Sequence, residues 1–380
     1  MTQRLTRRAG ALAVIGLAAA TAVACSAPDA ESPAPTGTSD AVDASTATSV
    51  EDFGGMDGLV EAATAEGRLN VIALPPDWAN YGEVIKGFEA KYPEITVTSD
   101  QPDASSADEI ATAKRLQGQD GAPDVFDLGA AVALANTDMY AAYKVATWDD
   151  IPDDFKDPDG LWVNDYGGYM SIGYDSTKVP APTSVADLLK ADYAGKVALN
   201  GNPTEAGAAF AGVQMVSVSQ GGTVSDLTAG VDFFAQLKAA GNFIPVDPTP
   251  ATVESGQTPL VIDWDYLNAS LSEALPTWTV MVPEEAVVAG YYYQAINADA
   301  PNPAAARLWQ EWLYSDEGQN LWLQGGARPI RMDAMTEAGT IDEAAAAALP
   351  EVAGTPIVPS QEDAATGQQY LAENWANAVG

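Results

Sequence analysis

The sequence predicts an α/β protein in which mostly parallel sheets are flanked by helices. Three observations carry this. From residue 69 onward, short apolar runs alternate with amphipathic ones in a βαβαβ order that puts helices on both faces of a sheet. The chain has 380 residues, the length of roughly two domains at about 150 residues each. Its apolar fraction of 47% is that of an ordinary globular protein, so the surplus of 53 acidic over 17 basic side chains does not signal general disorder.

The chain opens with an export signal. Arg4, Arg7 and Arg8 precede an uncharged apolar run over residues 9–24, shorter than the about 20 residues that span a bilayer and suited to the core of a secretory signal. The run ends Ala22-Val23-Ala24-Cys25, and Cys25 is the single cysteine. Small residues before a lone cysteine resemble a bacterial lipoprotein signal, with residues 1–24 removed and Cys25 lipidated. Plain cleavage near Ala24, leaving a free thiol, is the alternative. Arg7-Arg8 also suits a twin-arginine route. No later apolar run is long enough to span a membrane. Residues 25–57, rich in Ser, Thr, Ala, Pro and Asp, read as a disordered tether, because such a composition buries too little apolar surface to offset chain entropy. Order is expected from near Gly58.

The body follows element by element. Residues 69–74 (LNVIAL) read as a buried strand. Tyr81, Val84, Ile85 and Phe88 recur on one face of a helix over 79–91. A strand at 95–99, a helix at 106–118 and a strand at 123–128 (PDVFDL) complete the first run, and 168–174 (GYMSIGY) adds a strand. A second run has a strand at 196–199, then a helix over 203–219 capped by Asn202 with Pro203 first. A helix at 223–240, strands at 259–263 and 278–282 around a short helix at 265–274, and a strand at 287–297 follow. Asn302-Pro303 opens a helix with Leu308, Trp309, Trp312 and Leu313 on its face.

Composition excludes several chemistries. With no His, neither a Ser–His–Asp unit nor a His-held metal is available. One Cys forbids an internal disulfide or thiolate cluster. A net charge of −36 argues against nucleic acid, whose phosphates need a basic surface. No cofactor and no metal site are expected.

In this order, LNVIALPPDWANYGEVIKGFEAKYPEITV, PDVFDLG, GGYMSIGYDSTKV with PTSVADLL, and PNPAAARLWQEWLYSDEGQNLWL resemble the extracellular solute-binding proteins of ABC importers. The branch is that of polyamine, ferric-iron, thiamine and phosphonate binders, and the resemblance covers residues 58–350. It implies a two-lobed periplasmic-binding-protein-like fold of type II, with two hinge segments and a ligand in the cleft. Lobe 1 would be residues 58–168 plus 285–350, and lobe 2 residues 169–284. Residues 351–380 would be an extension packing on lobe 1.

Ligands of parallel sheets sit beyond the carboxyl ends of the strands, which singles out the segments after 74, 128, 199 and 263. The first carries Asp77, Trp78 and Tyr81; polyamine-binding members of the resembled family place a Trp and a Tyr three residues apart here. The plainer reading makes Tyr81 core and Trp78 a cover. Gly129 permits close backbone approach. Thr204 stands at a helix start that suits either an anion or simple capping. Asp263, Trp264, Asp265 and Tyr266 put two carboxylates and two rings in four residues, a cation cage or, for Asp265, a helix cap. Tyr169 flanks the hinge. Of Tyr291-Tyr292-Tyr293, alternation sends either Tyr291 and Tyr293 or Tyr292 alone to the cleft, and Tyr291 and Tyr293 are the candidates taken.

The expected function is capture of a small ligand, best an organic cation of polyamine type, for delivery to a membrane-embedded ABC permease. Aminophosphonate, thiamine-like compounds and ferric iron are alternatives within the class. An exported carboxylate-dependent hydrolase and a surface adhesin or sensor lie outside it. The hydrolase is disfavoured, because adjacent carboxylates on one loop do not flank a substrate. The mature protein is expected as a monomer, exported and lipid-anchored to the outer face of the cytoplasmic membrane.

Overall fold

The computed structural model describes residues 42–350 and 352–380. The export signal and Cys25 lie outside the described residues.

Order begins earlier than composition suggests. Two short 3-10 turns, Ala44–Thr46 and Val50–Phe53, pack on the body, burying Ala47, Val50 and Phe53. Arg307, itself 1% exposed, donates to the backbone carbonyls of Ser45 and Ala47 and so pins this segment. The tether reading of 25–57 therefore does not hold for 42–57. A few apolar side chains and one buried guanidinium outweigh a composition dominated by small polar residues.

Helix α1 (Met56–Glu66) leads into strand β1 (Arg68–Ile72), then α2 (Tyr81–Lys91), β2 (Thr96–Asp100), α3 (Ser106–Leu116), β3 (Val125–Leu128) and α4 (Ala130–Ala135). Strand β4 (Tyr140–Ala141) precedes the long β5 (Val163–Asp175). Then come β6 (Val197–Leu199), α5 (Gly207–Ser219), α6 (Thr228–Ala240), α7 (Pro250–Ser255), β7 (Leu260–Trp264), α8 (Asp265–Ala274), β8 (Trp278–Met281) and β9 (Ala289–Asn297). The chain closes with α9 (Pro303–Leu313), α10 (Asp316–Gln324), β10 (Arg328–Pro329), α11 (Met332–Ala338), α12 (Glu343–Ala348) and α13 (Gln361–Val379). Among the described residues no helix is long and apolar enough to cross a membrane.

The α/β class holds, with sheets flanked by helices. Strand direction is more mixed than the alternation implied. β1 and β2 pair in parallel, as do β6 and β7, whereas β5 and β9 pair antiparallel with each other and with their neighbours. The reason lies in β5. Its first half pairs with β9 and β10, and its second half pairs with β7 and β8. One extended strand thus runs from one group of strands into the other, and β9 returns beside it.

Local chemistry sets the helix boundaries. Ser105 caps α3 in a reciprocal box with Asp108, Ser360 caps α13 with Asp363, and Ser315 accepts the Gly318 N–H at the start of α10. The helix expected from Pro203 begins only at Gly207. Asn202 Oδ1 accepts from both the N–H and the hydroxyl of Thr204, a local turn that competes with the helical path. α5 is buried nearly all round, as its unbroken apolar run requires.

The C-terminal helix α13 meets both α4 and α6. Leu371 is fully buried, and Trp375 stands edge-on to Phe234 of α6 at 5.2 Å between ring centroids. Helix α13 of the C-terminal extension therefore rests on the segment assigned to lobe 2 as well as on that assigned to lobe 1.

Candidate functional site

The loop between β1 and α2 is held in an uncommon conformation. Ala73, Ala79 and Asn80 have φ of 56°, 45° and 64°, the left-handed region that non-glycine residues avoid. Asn80 is fixed there by donating from its amide to Leu321 O at 2.7 Å. The strained turn delays α2 to Tyr81 and presents Trp78 inward. Trp78 Nε1 donates to the Tyr166 hydroxyl at 2.9 Å.

Three tyrosine rings from three other segments meet around Trp78. Tyr166 of β5 stacks on Tyr292 of β9, with centroids 5.5 Å apart and planes 10° from parallel. Trp78 lies edge-on to Tyr292 at 5.7 Å and to Tyr266 of α8 at 6.4 Å, and Tyr166 lies 6.0 Å from Tyr266. Trp264 stacks on Tyr266 from outside. Gly290 permits this, since a Cβ there would lie 2.4 Å from the Trp264 ring.

Carboxylates stand against this cluster. Asp127, the third residue of β3, accepts from Tyr81 at 2.8 Å and from Tyr166 at 3.0 Å, both at Oδ2. Its Oδ1 is buried and has no partner. Burial pushes the Asp127 carboxyl up to about 7, against the pull of the two tyrosine hydroxyls. Asp165 and Glu109, buried nearby, are pushed up by burial and then by the charge of Asp127. Asp263 accepts from Asn200 at 2.8 Å and from the Trp264 N–H at 2.8 Å, and burial raises it too to about 7. Among the described residues, no ion pair involves any of these four acids.

Asp265 is different. Its Oδ2 lies 2.6 Å from Arg328 Nη1, and its Oδ1 accepts the N–H groups of Tyr169 and Tyr266. The Arg328 guanidinium also lies over the Tyr169 ring, 4.6 Å from its centroid. Asp265, Tyr169 and Arg328 thus bind the crossing strand β5 to α8 and β10.

The residues singled out by sequence separate accordingly. Trp78, Tyr81, Asp263, Trp264 and Tyr266 converge on the cluster or its border. Asp77 is exposed in the loop beside it. Tyr291 packs on Phe155 and Tyr293 on Trp162, while Tyr292 alone enters the ring cluster, so the strand carries the other phase of its alternation. Thr204 spends its donors on Asn202 and is not at a helix start. Gly129 approaches Gly207 so closely that a Cβ on it would stand 3.1 Å from Gly207 Cα. Asp127, Tyr166 and Tyr292 complete the cluster. Their sequence signals were a strand end, a hinge flank and the middle of a Tyr triplet.

The sequence profile of the bacterial extracellular solute-binding protein family matches residues 120–350. The chain belongs to this family. No curated protein matches it in sequence. Solved structures share its fold at low identity. AgtB from A. tumefacien, in complex with agropinic acid, is 14% identical with a TM-score of 0.64, covering 82% of this chain and 98% of its own. AfuA from Actinobacillus pleuropneumoniae, with fructose-6-phosphate bound, is 16% identical with a TM-score of 0.61, covering 82% and 98%. The spermidine/putrescine ABC transporter substrate-binding protein of Streptococcus pneumoniae is 17% identical with a TM-score of 0.55, covering 73% and 86%.

As a solute-binding protein, the chain carries its aromatic and acidic groups where β5 and β9 cross between the strand groups. Among the described residues no group of His, Cys, Asp and Glu is arranged to hold a metal ion.

Proposed function

We propose that this solute-binding protein captures a small organic cation, of polyamine type, between its two strand groups and delivers it to a membrane-embedded ABC permease. The observation that carries the reading is Asp127 Oδ1, a buried acceptor without a partner, beside the rings of Trp78, Tyr166, Tyr266 and Tyr292. An ammonium group answers both features, pairing with the carboxylate and lying on ring faces that attract it by roughly 0.5–2 kcal/mol. The lobes in this reading are 58–168 with 285–350, and 169–284, hinged on β5 and β9. They part to admit the ligand and close on it, because a ligand touching both favours the closed state. Cys25 carries the lipid that holds the monomeric protein at the outer face of the membrane.

Ferric iron has the tyrosine hydroxyls in its favour. Burial, however, raises Tyr81, Tyr166, Tyr266 and Tyr292 further from the phenolate form that ferric iron prefers.

A thermal-shift panel of polyamines, thiamine, aminophosphonates, ferric citrate, phosphate and sugars tests the reading. A ligand at about 100 times its Kd stabilises by roughly 2.7 kcal/mol, which moves the midpoint of a protein this size by several degrees. A shift with amines supports the proposal. A shift confined to ferric citrate, an aminophosphonate or a sugar overturns the cationic ligand.

A further inference from the structure

We infer that the C-terminal segment 357–368 is a wall of the ligand site, and that the ligand carries a short apolar arm ending in an N–H or O–H donor. The charged end of this ligand rests on the cationic reading above; the arm rests on a separate cavity. That cavity, of about 110 Å³, adjoins the ring cluster and shares Trp264 and Tyr292 with it. Its other walls combine apolar side chains, Phe155, Phe210 and Val358 among them, with polar ones, including Asp154, Glu205 and Gln214.

The C-terminal segment is fastened for this role. Ile357 pairs with the backbone of Val287 and Ala289 at the start of β9, and α13 then lies along α6 with Leu371 buried. A Cβ on Gly367 would meet Leu227 at 3.1 Å and Phe210 at 3.2 Å, so the helix sits as near to α5 as a glycine allows. Gln368 lines the cavity. Its amide nitrogen donates to Thr204 O at 2.9 Å, and a carbonyl only accepts, so the orientation is fixed and Oε1 is the free end. That Oε1 is buried and has no partner. Buried acceptors are almost always satisfied, and a donor on the arm satisfies this one. Residues 351–380 lie beyond the part of the chain that matches the family profile.

Calorimetry on the full chain with propylamine, hexylamine, 6-aminohexan-1-ol and 1-hexanol tests the inference. Each buried methylene is worth roughly a factor of four in affinity, so hexylamine is expected to bind at least tenfold tighter than propylamine. The amino alcohol should bind tighter still. Ala131→Leu, which fills the cavity, should remove the gain with chain length, and Gln368→Met should remove the preference for the amino alcohol. Equal binding of propylamine and hexylamine overturns the arm cavity and leaves the cationic reading standing. Binding of 1-hexanol as tight as hexylamine supports the cavity and overturns the cationic reading. No binding of any probe overturns both.

Discussion

Arg328 and Asp265 form a buried ion pair, 2.6 Å between Nη1 and Oδ2, with side chains 12% and 0% exposed. It joins β10 to the first residue of α8 beside the crossing strand β5. A buried pair is a weak source of net stability, but breaking it leaves a lone charge in the interior. Arg328→Met is expected to cost about 3–5 kcal/mol in urea unfolding. The double change Arg328→Met with Asp265→Asn should cost clearly less. Equal costs would show that the pair is not coupled.

Asp127→Asn removes the charge that the ring cluster lacks a counter-ion for. Because burial already disfavours that charge, the ligand-free protein should keep or gain stability. Affinity for a polyamine should fall at least tenfold, as it should in Trp78→Ala through loss of a ring face. Unchanged affinity in Asp127→Asn would remove Asp127 from the site.

Stability of the ligand-free protein should fall as pH rises from about 4 to about 7. Asp124, Asp127 and Asp263 have their folded pKa raised from 3.8 to about 7, so in that window the folded state holds protons that the unfolded state has released. The contribution is complete below the unfolded value and lost on passing the folded one. Carboxylates held low, such as Asp187 at about 2, exert their effect below about pH 4 and leave this window unopposed. Urea midpoints at pH 5 and pH 8 check it, and Asp263→Asn should flatten the slope. A midpoint higher at pH 8 contradicts the assignment. Binding of a cation should tighten over the same range, with proton release measurable in buffers of different ionisation enthalpy.

Gly129 and Gly207 touch, and a Cβ on Gly207 would stand 3.2 Å from Gly129 Cα and 3.5 Å from the Tyr292 hydroxyl. Gly207→Val should hold the two sides apart. Ligand affinity should drop while the unfolding midpoint changes little, and small-angle scattering should report a larger radius of gyration. A compact variant with normal affinity would mean that closure does not bring these backbones together.

Cys25→Ser should release the exported protein from the membrane fraction and abolish its partition into detergent. Unaltered partition would rule out the lipid anchor.

Much of this protein is determined by sequence order alone. Apolar periodicity locates α2, α3, β3, β7, α8 and α9 to within a few residues, because burial of one face is a local demand on the pattern. The absence of His and the lone Cys exclude whole chemistries without any structure. The motif order places the chain among solute-binding proteins. Three-dimensional packing decided the rest. Asp263 and Asp265 stand two residues apart with similar local surroundings, yet only Asp265 finds Arg328, a residue brought in from 63 positions away. Tyr292 rather than its neighbours enters the ring cluster because β9 pairs in a register that a triplet of identical residues cannot reveal. Residues 42–57 are ordered by Arg307, and the cavity wall is supplied by Gln368 of α13. Each depends on a partner distant in the chain, and distance in sequence is what a local pattern cannot measure.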